Sequence, residues 1–205
     1  MKKTLIAMVV LLMAASLSAQ GIGDLKGKMA VGGFINYGIG FGKMFDDYEE
    51  TFEDFTVKNE TSLGISFGGK FLYGLAPKMA VAASVDRQSI KYKGEASGDL
   101  GGFEDIFNYD ETESWIAINV NGVYFFSPEK KMCPYAEAGP GYYMPSHEDA
   151  DSKFGINGGL GILYMVSPTV GVDLGGRFHM IFTEEEKTNY AEIHGGVNVF
   201  FGGTK

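Results

Sequence analysis

Val170-Gly171-Val172-Asp173-Leu174-Gly175-Gly176-Arg177-Phe178-His179-Met180-Ile181-Phe182 carries two chemistries on alternate residues. Val170, Val172, Leu174, Phe178, Met180 and Phe182 fall on one side of an extended chain, and Asp173, Arg177 and His179 on the other. Successive side chains of a β-strand point to opposite faces, so this period of two predicts a strand with one apolar and one polar face. A helix would scatter both sets around its surface. The polar set is the unusual part, because an acid, an arginine and a histidine share a face otherwise held by glycine.

The same alternation recurs along the chain and predicts eight strands: Lys28–Gly42, Glu60–Tyr73, Lys78–Tyr92, Glu113–Phe126, Met132–Met144, Lys153–Val166, Pro168–Thr183 and Tyr190–Phe201. In the first, Met29, Val31, Ile35, Tyr37, Ile39 and Phe41 oppose Ala30, Gly32, Asn36, Gly38 and Gly40. In the fourth, Ile116, Ile118, Val120, Tyr124 and Phe126 oppose Asn119 and Asn121, and in the sixth Phe154, Ile156, Leu160 and Ile162 oppose Gly155, Asn157, Gly159 and Gly161. Connections after strands two, four and six are tight turns; those after one and three are long, and those after five and seven intermediate. Antiparallel strands joined in this way put every long loop on one rim and every tight turn on the other.

Which face meets which solvent follows from side-chain size. A soluble eight-stranded barrel, lipocalin-like, turns its apolar face inward around a ligand and a charged face to water. Here the polar face is small, glycine-rich and poor in Lys and Glu, so it makes a poor water-facing surface. The other face is large and aromatic, with Phe41, Tyr73, Tyr92, Phe126, Tyr142, Phe154, Tyr164, Phe182 and Phe201 near the strand ends. That is the pattern of a transmembrane barrel with lipid outside, interfacial aromatic girdles and a narrow polar interior. Arg87 and Lys91 alone break the apolar face, near the loop end of strand three. Closure is what satisfies edge backbone groups in hydrocarbon. Eight strands leave a bore just wide enough for side chains, so many of the 30 glycines are expected to clear space inside it. The predicted class is all-β, an eight-stranded antiparallel up-and-down transmembrane β-barrel.

The ends and the charge agree with export. Lys2 and Lys3, an apolar run from Leu5 to Leu12 and the small-residue stretch Ser16-Leu17-Ser18-Ala19 predict a cleavable secretory signal over residues 1–19. Residues 20–27 then form a short N-terminal segment, 28–201 the barrel and 202–205 a tail. Loss of Lys2 and Lys3 takes the formal charge from −9 to −11. A nucleic-acid binder needs a basic face, so that class is excluded. Cys133 is the single cysteine, so no intramolecular disulfide is available.

Pro134-Tyr135-Ala136-Glu137-Ala138-Gly139-Pro140-Gly141-Tyr142, Gly155-Ile156-Asn157-Gly158-Gly159-Leu160-Gly161 and Gly171–Phe178 resemble the outer-membrane β-barrel domain family of Gram-negative bacteria, especially short porin-like barrels of the Bacteroidota type. The chain is more distantly similar to the OmpA membrane domain. The resemblance spans the mature chain and implies insertion in the outer membrane, both termini periplasmic and long loops outside, in contact with outer-membrane lipid and lipopolysaccharide. It also implies a final strand read by the barrel-assembly machinery, for which Ile193, Val197, Val199 and Phe201 supply an outward stripe ahead of the overhanging Gly202-Gly203-Thr204-Lys205. With strand eight ending so near Lys205, no periplasmic peptidoglycan-binding domain is expected after it. Pro140 lacks a ladder donor, and a bulge is expected there.

Three features are candidates for chemistry. Strand phase collects Lys70, Asp86, Glu137, Asp173, Arg177 and His194 in the bore, with Lys70, Glu137 and Asp173 toward the turn end, Asp86, Arg177 and His194 nearer the middle, and Glu192 and His179 toward the loop rim. Charges in a narrow interior must be paired or hydrated. They make either a plug that closes a membrane-integrity anchor, or a gate in which Arg177 exchanges carboxylate partners to pass small solutes. The loops are the second feature. Asp46, Asp47, Tyr48, Phe52 and Phe55 in loop one mix acid with aromatic residues, and loop two adds Glu95, Asp99, Glu104, Asp105, Asp110, Glu111 and Glu113. These predict a solvated face on strands outrunning the membrane, an adhesive surface for an extracellular partner, or a site where divalent cations bridge acids to lipopolysaccharide phosphates. Catalysis is the third and weakest. His147, His179 and His194 are the only histidines, and His147 stands beside Ser146 and Glu148 in loop three, where sequence neighbours rarely aim at one point as a nucleophile, base and carboxylate must. Asp149-Ala150-Asp151-Ser152-Lys153 lacks the glycine and bidentate Glu of a calcium loop. No zinc spacing or phosphate loop occurs, and no enzyme activity, cofactor or metal is expected.

Overall fold

The computed structural model describes residues 20–41, 45, 48–52, 55–99, 104–146, 151–183 and 188–203. The signal segment 1–19 and loop residues Asp46, Asp47 and His147 lie outside the described residues. The strands are β1 (Lys28–Phe41), β2 (Tyr48–Phe52), β3 (Phe55–Leu63), β4 (Ile65–Ala76), β5 (Met79–Asp99), β6 (Glu104–Phe125), β7 (Met132–Pro145), β8 (Lys153–Met165), β9 (Val170–Ile181) and β10 (Thr188–Gly202). The wall runs β1, β4, β5, β6, β7, β8, β9, β10 and back to β1, every pair antiparallel. The seam pairs the two ends of the chain, from Lys28↔Gly202 to Phe41↔Asn189. This is a closed eight-stranded barrel, with β2 and β3 as an added hairpin at the loop end.

The faces divide by phase. Outside, Ile65 is 72% exposed, Phe154 and Leu160 68% each. A monomer in water does not keep a continuous belt of such residues, whereas hydrocarbon requires one. Aromatic pairs brace both ends of the belt: Tyr124 meets Phe126 at 5.3 Å near the turns, and Tyr142 meets Phe154 at 4.9 Å near the loops. Arg87 and Lys91 do project outward, and Arg87 Nη2 donates to Ser114 Oγ at 3.0 Å.

Four expectations change. The second strand is not continuous from Glu60. Leu63 pairs with Ile90 and Phe67 with Arg87, so three residues (Gly64, Ile65, Ser66) stand opposite two (Gln88, Ser89). This bulge flips the phase, which lets Leu63 and Ser66 both face inward. Second, the third and fourth strands run far past Tyr92 and Glu113, with paired residues up to Asp99↔Glu104. Third, Tyr92 is not a girdle residue. It shares the inward phase of Ile90, opposite to Arg87 and Lys91, and packs against the cluster of Leu63, Ile90 and Trp115. Fourth, Pro140 makes no bulge. The β6–β7 ladder omits Val120 and Asn121 but resumes in the same register, from Asn119↔Gly141 to Gly122↔Ala138. Beside it Gly139 lets the two backbones approach closely, since a Cβ there would lie 2.0 Å from the Val120 carbonyl oxygen.

Residues 20–27 do more than precede the barrel; they stopper its turn end. Gly23 N donates to Pro128 O (2.8 Å), Leu25 N to Pro77 O (3.2 Å) and Gly27 N to Gly74 O (2.9 Å), pinning the segment to two different turns and the end of β4. Ile22 and Leu25 are buried in a cluster with Leu72, Val123, Phe125, Leu163 and Phe200. Gly74 makes the approach possible, since a Cβ on it would sit 1.7 Å from the Leu25 carbonyl oxygen.

Candidate functional site

Above that stopper the bore is filled by two tiers of polar side chains. In the turn-side tier, Asp173 from β9 receives Lys70 Nζ from β4, Tyr135 OH from β7 at 2.8 Å and Asn198 Nδ2 from β10 at 3.3 Å. Tyr135 has one hydroxyl proton and spends it on Asp173, so the 3.1 Å contact with His194 Nε2 is a bond donated by the imidazole. Lys70 Nζ also lies over the Tyr135 ring, 5.8 Å from its centre. Four strands converge on one carboxylate, which compensates the cost of burying its charge.

Arg177 dominates the next tier. Its Nε and Nη2 donate to Glu137 Oε1 at 3.0 and 2.9 Å, and its Nη1 to Glu192 Oε1 at 3.1 Å. One planar guanidinium thus holds carboxylates from β7 and β10 at once, the fork geometry that a lysine lacks. The second oxygen of Glu192 accepts from Asn36 Nδ2 and Gln88 Nε2, both at 2.9 Å. Gln88 Oε1 is held in turn by Ser66 Oγ at 2.6 Å. On the other flank Asn121 Nδ2 reaches Glu137 Oε2 at 3.4 Å and Asn157 Oδ1 at 2.7 Å, and Asn157 donates to Asn119 Oδ1 at 3.0 Å. Asp86 has a single hydrogen bond among the described residues, from Gln88 Nε2 at 3.4 Å to Oδ2, and its Oδ1 has none.

A ring layer closes the loop side. Tyr143 OH bonds His179 Nδ1 at 2.8 Å, His179 stacks on Tyr190 with centroids 4.3 Å apart, and Trp115 lies 5.7 Å beyond Tyr190. His179 Nε2 stands 3.6 Å from Glu192 Oε1, tying this layer to Arg177. Glycines make the room: a Cβ on Gly161 would lie 2.4 Å from the Tyr135 ring, and one on Gly175 2.7 Å from the His194 ring. A cavity between Lys70, Tyr135, Glu137 and Asp173 in the turn-side half of the bore has about 20 Å³, room for one water molecule.

Of the residues that phase collects in the bore, Lys70 and Asp173 therefore meet directly and His194 joins them through Tyr135, while Glu137 and Glu192 both meet Arg177. His194 joins the Asp173 tier instead of the Arg177 tier, and Glu192 sits on Arg177 instead of at the rim. Gln88, Asn36, Tyr135 and Tyr143 complete the network, and nothing in the sequence marks them as members of it. Their inward phase was readable, but uncharged side chains in strands give no sign of which carboxylate they will reach. Tyr48 and Phe52 lie on β2 and Phe55 on β3, where Tyr48 faces Asn59 and Phe52 faces Phe55 across the hairpin.

The arrangement is a set of buried ion pairs spanning a barrel, built to fill space and hold strands together. Comparison with known proteins agrees with the fold. The chain aligns with the outer membrane protein OprG from Pseudomonas aeruginosa at TM-score 0.55 and 14% identity, covering 89% of this chain and 99% of that one. It aligns with Neisserial surface protein A at TM-score 0.56 and 15% identity, covering 86% and 100%. No curated protein matches it in sequence. The family described as outer membrane protein beta-barrel domain matches residues 7–201. The apolar belt, the closed seam and that match lead to one conclusion: the chain belongs to the outer membrane protein beta-barrel domain family, and an outer membrane is where its belt resides.

Proposed function

We propose that this barrel is a closed outer-membrane anchor that contributes to membrane integrity and presents its tall, acidic loop end outside the cell, with both termini periplasmic. The observation that carries the reading is the Arg177 clamp on Glu137 and Glu192, buried across the bore between the ring layer and the N-terminal stopper. A solute would have to break charge-assisted bonds in a low-dielectric bore, each worth more than a neutral hydrogen bond. Passage of small solutes is the weaker reading for that reason. Reconstituted vesicles test it: no swelling faster than protein-free vesicles is expected with a small sugar such as arabinose, and fast swelling would refute closure. Orientation is tested on intact cells, where a cysteine replacing Asn108 should label with an impermeant reagent and one replacing Gly203 should not.

An adhesive role on the same scaffold has one observation in its favour. β2, β3, β5 and β6 form a sheet that rises beyond the other strands and carries Glu49, Glu60, Glu95, Asp110 and Glu111. Such a wall suits a partner outside the cell, or divalent cations shared with lipopolysaccharide. Deleting residues 46–55 tests this: the reading requires loss of binding to host cells, and unchanged binding removes loop one from the role. The outward stripe of Ile193, Val197, Val199 and Phe201 on β10 is the segment on which assembly machinery would act.

A further inference from the structure

The strands end at unequal heights. β5 and β6 climb to Asp99 and Glu104, while β7 stops at Pro145, β8 starts at Lys153, β9 stops at Ile181 and β10 starts at Thr188. The result is a cup above the ring layer, high on one wall and low on the others, with a volume of about 720 Å³. Ile90, Tyr92, Trp115, Tyr143, Pro145 and Ile181 give it an apolar lining. A concave, mostly apolar site of 300–1,000 Å³ with a few polar groups is the usual form of a small-molecule pocket.

Two observations narrow the ligand. The charged residues of the lining, Lys153 against Glu113 and Asp151, leave one negative charge in excess on otherwise largely apolar walls, so an anion is disfavoured and the walls suit an uncharged ligand. Trp115, only 7% exposed, keeps its indole N–H buried without an acceptor among the described residues. A buried donor left unmatched carries a desolvation cost that a ligand oxygen would remove. We propose that the loop-end cup binds a small, uncharged, largely apolar molecule carrying a hydrogen-bond-accepting oxygen, seated on Trp115. The site stands on the loop side of the ring layer, so it is a receptor site on a barrel and requires no passage through the bore.

Trp115 is the only tryptophan of the chain, so its emission reports the site directly. The probe is 4-bromobenzophenone, an uncharged aromatic ketone whose bromine quenches indole, added to the full mature chain in lipid nanodiscs. The expected result is saturable one-site quenching. It is lost in Ile181→Glu, and 4-bromodiphenylmethane, which lacks the oxygen, binds about three- to tenfold more weakly. Ser146→Phe, which fills the cup from its polar edge, guards against misfolding of the first variant and should also abolish saturation. Heat-modifiable migration on gels shows that each variant is folded. Quenching that rises linearly with probe and is equal in all folded variants means partition into lipid alone and overturns the proposal. Equal affinity for the two probes overturns the role of the oxygen.

Discussion

Arg177 and Glu137 are joined by two parallel donors, Nε and Nη2, to the same carboxylate oxygen, while the third donor of the guanidinium, Nη1, holds Glu192. β7, β9 and β10 are thus tied through one side chain at mid-bore. Replacing Arg177 with Met leaves two buried carboxylates without their cation. A loss of about 3–5 kcal/mol in unfolding free energy is expected from breaking such a pair. Urea titration in vesicles, read by Trp115 emission, measures it. Arg177→Lys should also destabilise, since a point charge cannot span both acids. An unchanged midpoint in both variants would mean that the clamp holds nothing.

Lys70 and Asp173 form the second pair, and they predict non-additivity. Lys70→Met and Asp173→Asn each strand one partner in the bore. Together they leave a neutral tier in which Tyr135 donates to the new amide oxygen and Asn198 turns its own amide to accept from the new amide nitrogen. The double variant should be more stable than the sum of the singles implies, with a coupling of about 1–3 kcal/mol. Additive losses would show that the two groups do not interact in the folded barrel.

The N-terminal stopper depends on Gly74. An alanine there would drive its Cβ into the Leu25 carbonyl. Gly74→Ala should release residues 20–27 from the turn end while leaving the barrel intact. Hydrogen exchange at the Leu25 and Gly27 amides is the readout: both should exchange faster than in the parent chain, with β9 amides unaffected. Unchanged protection at Leu25 would contradict the stopper.

The outward face should obey depth. Leu160 and Leu174 project outward from the middle of β8 and β9. Leu174→Arg should cost about 2–4 kcal/mol in a bilayer, against about 0–1 for the same change near the interface at Phe182. Equal costs at both positions would argue that the belt does not face lipid.

How far the sequence was legible depends on what each residue responds to. Val172, Leu174 and Phe178 against Asp173, Arg177 and His179 declare two faces, because strand phase is local and hydrocarbon tolerates no mixture. Closure and strand order follow from connection length for the same reason. Gly64 was not legible: a bulge is one extra residue in a ladder, visible only when the partner strand is laid beside it. The extra height of β5 and β6 was one of several readings of the acidic loops and could not be singled out, because no lipid constraint acts there and acid-rich strand and acid-rich loop read alike. Tyr92 was misplaced by its position near a strand end, although Arg87 and Lys91 already fixed its phase inward. In the bore, phase brought the charges to one face, but which acid meets Arg177 depends on shear between strands far apart in sequence. Glu192 is fifteen residues from Arg177 and Glu137 forty.

Single-channel recording in planar bilayers tests the closed bore most directly. The account predicts no conductance steps from the wild-type protein at physiological salt, because the ring layer, the Arg177 clamp, the Lys70–Asp173 tier and the N-terminal stopper lie in series. Regular ohmic steps from the wild-type chain, folded as judged by heat-modifiable migration, would contradict it.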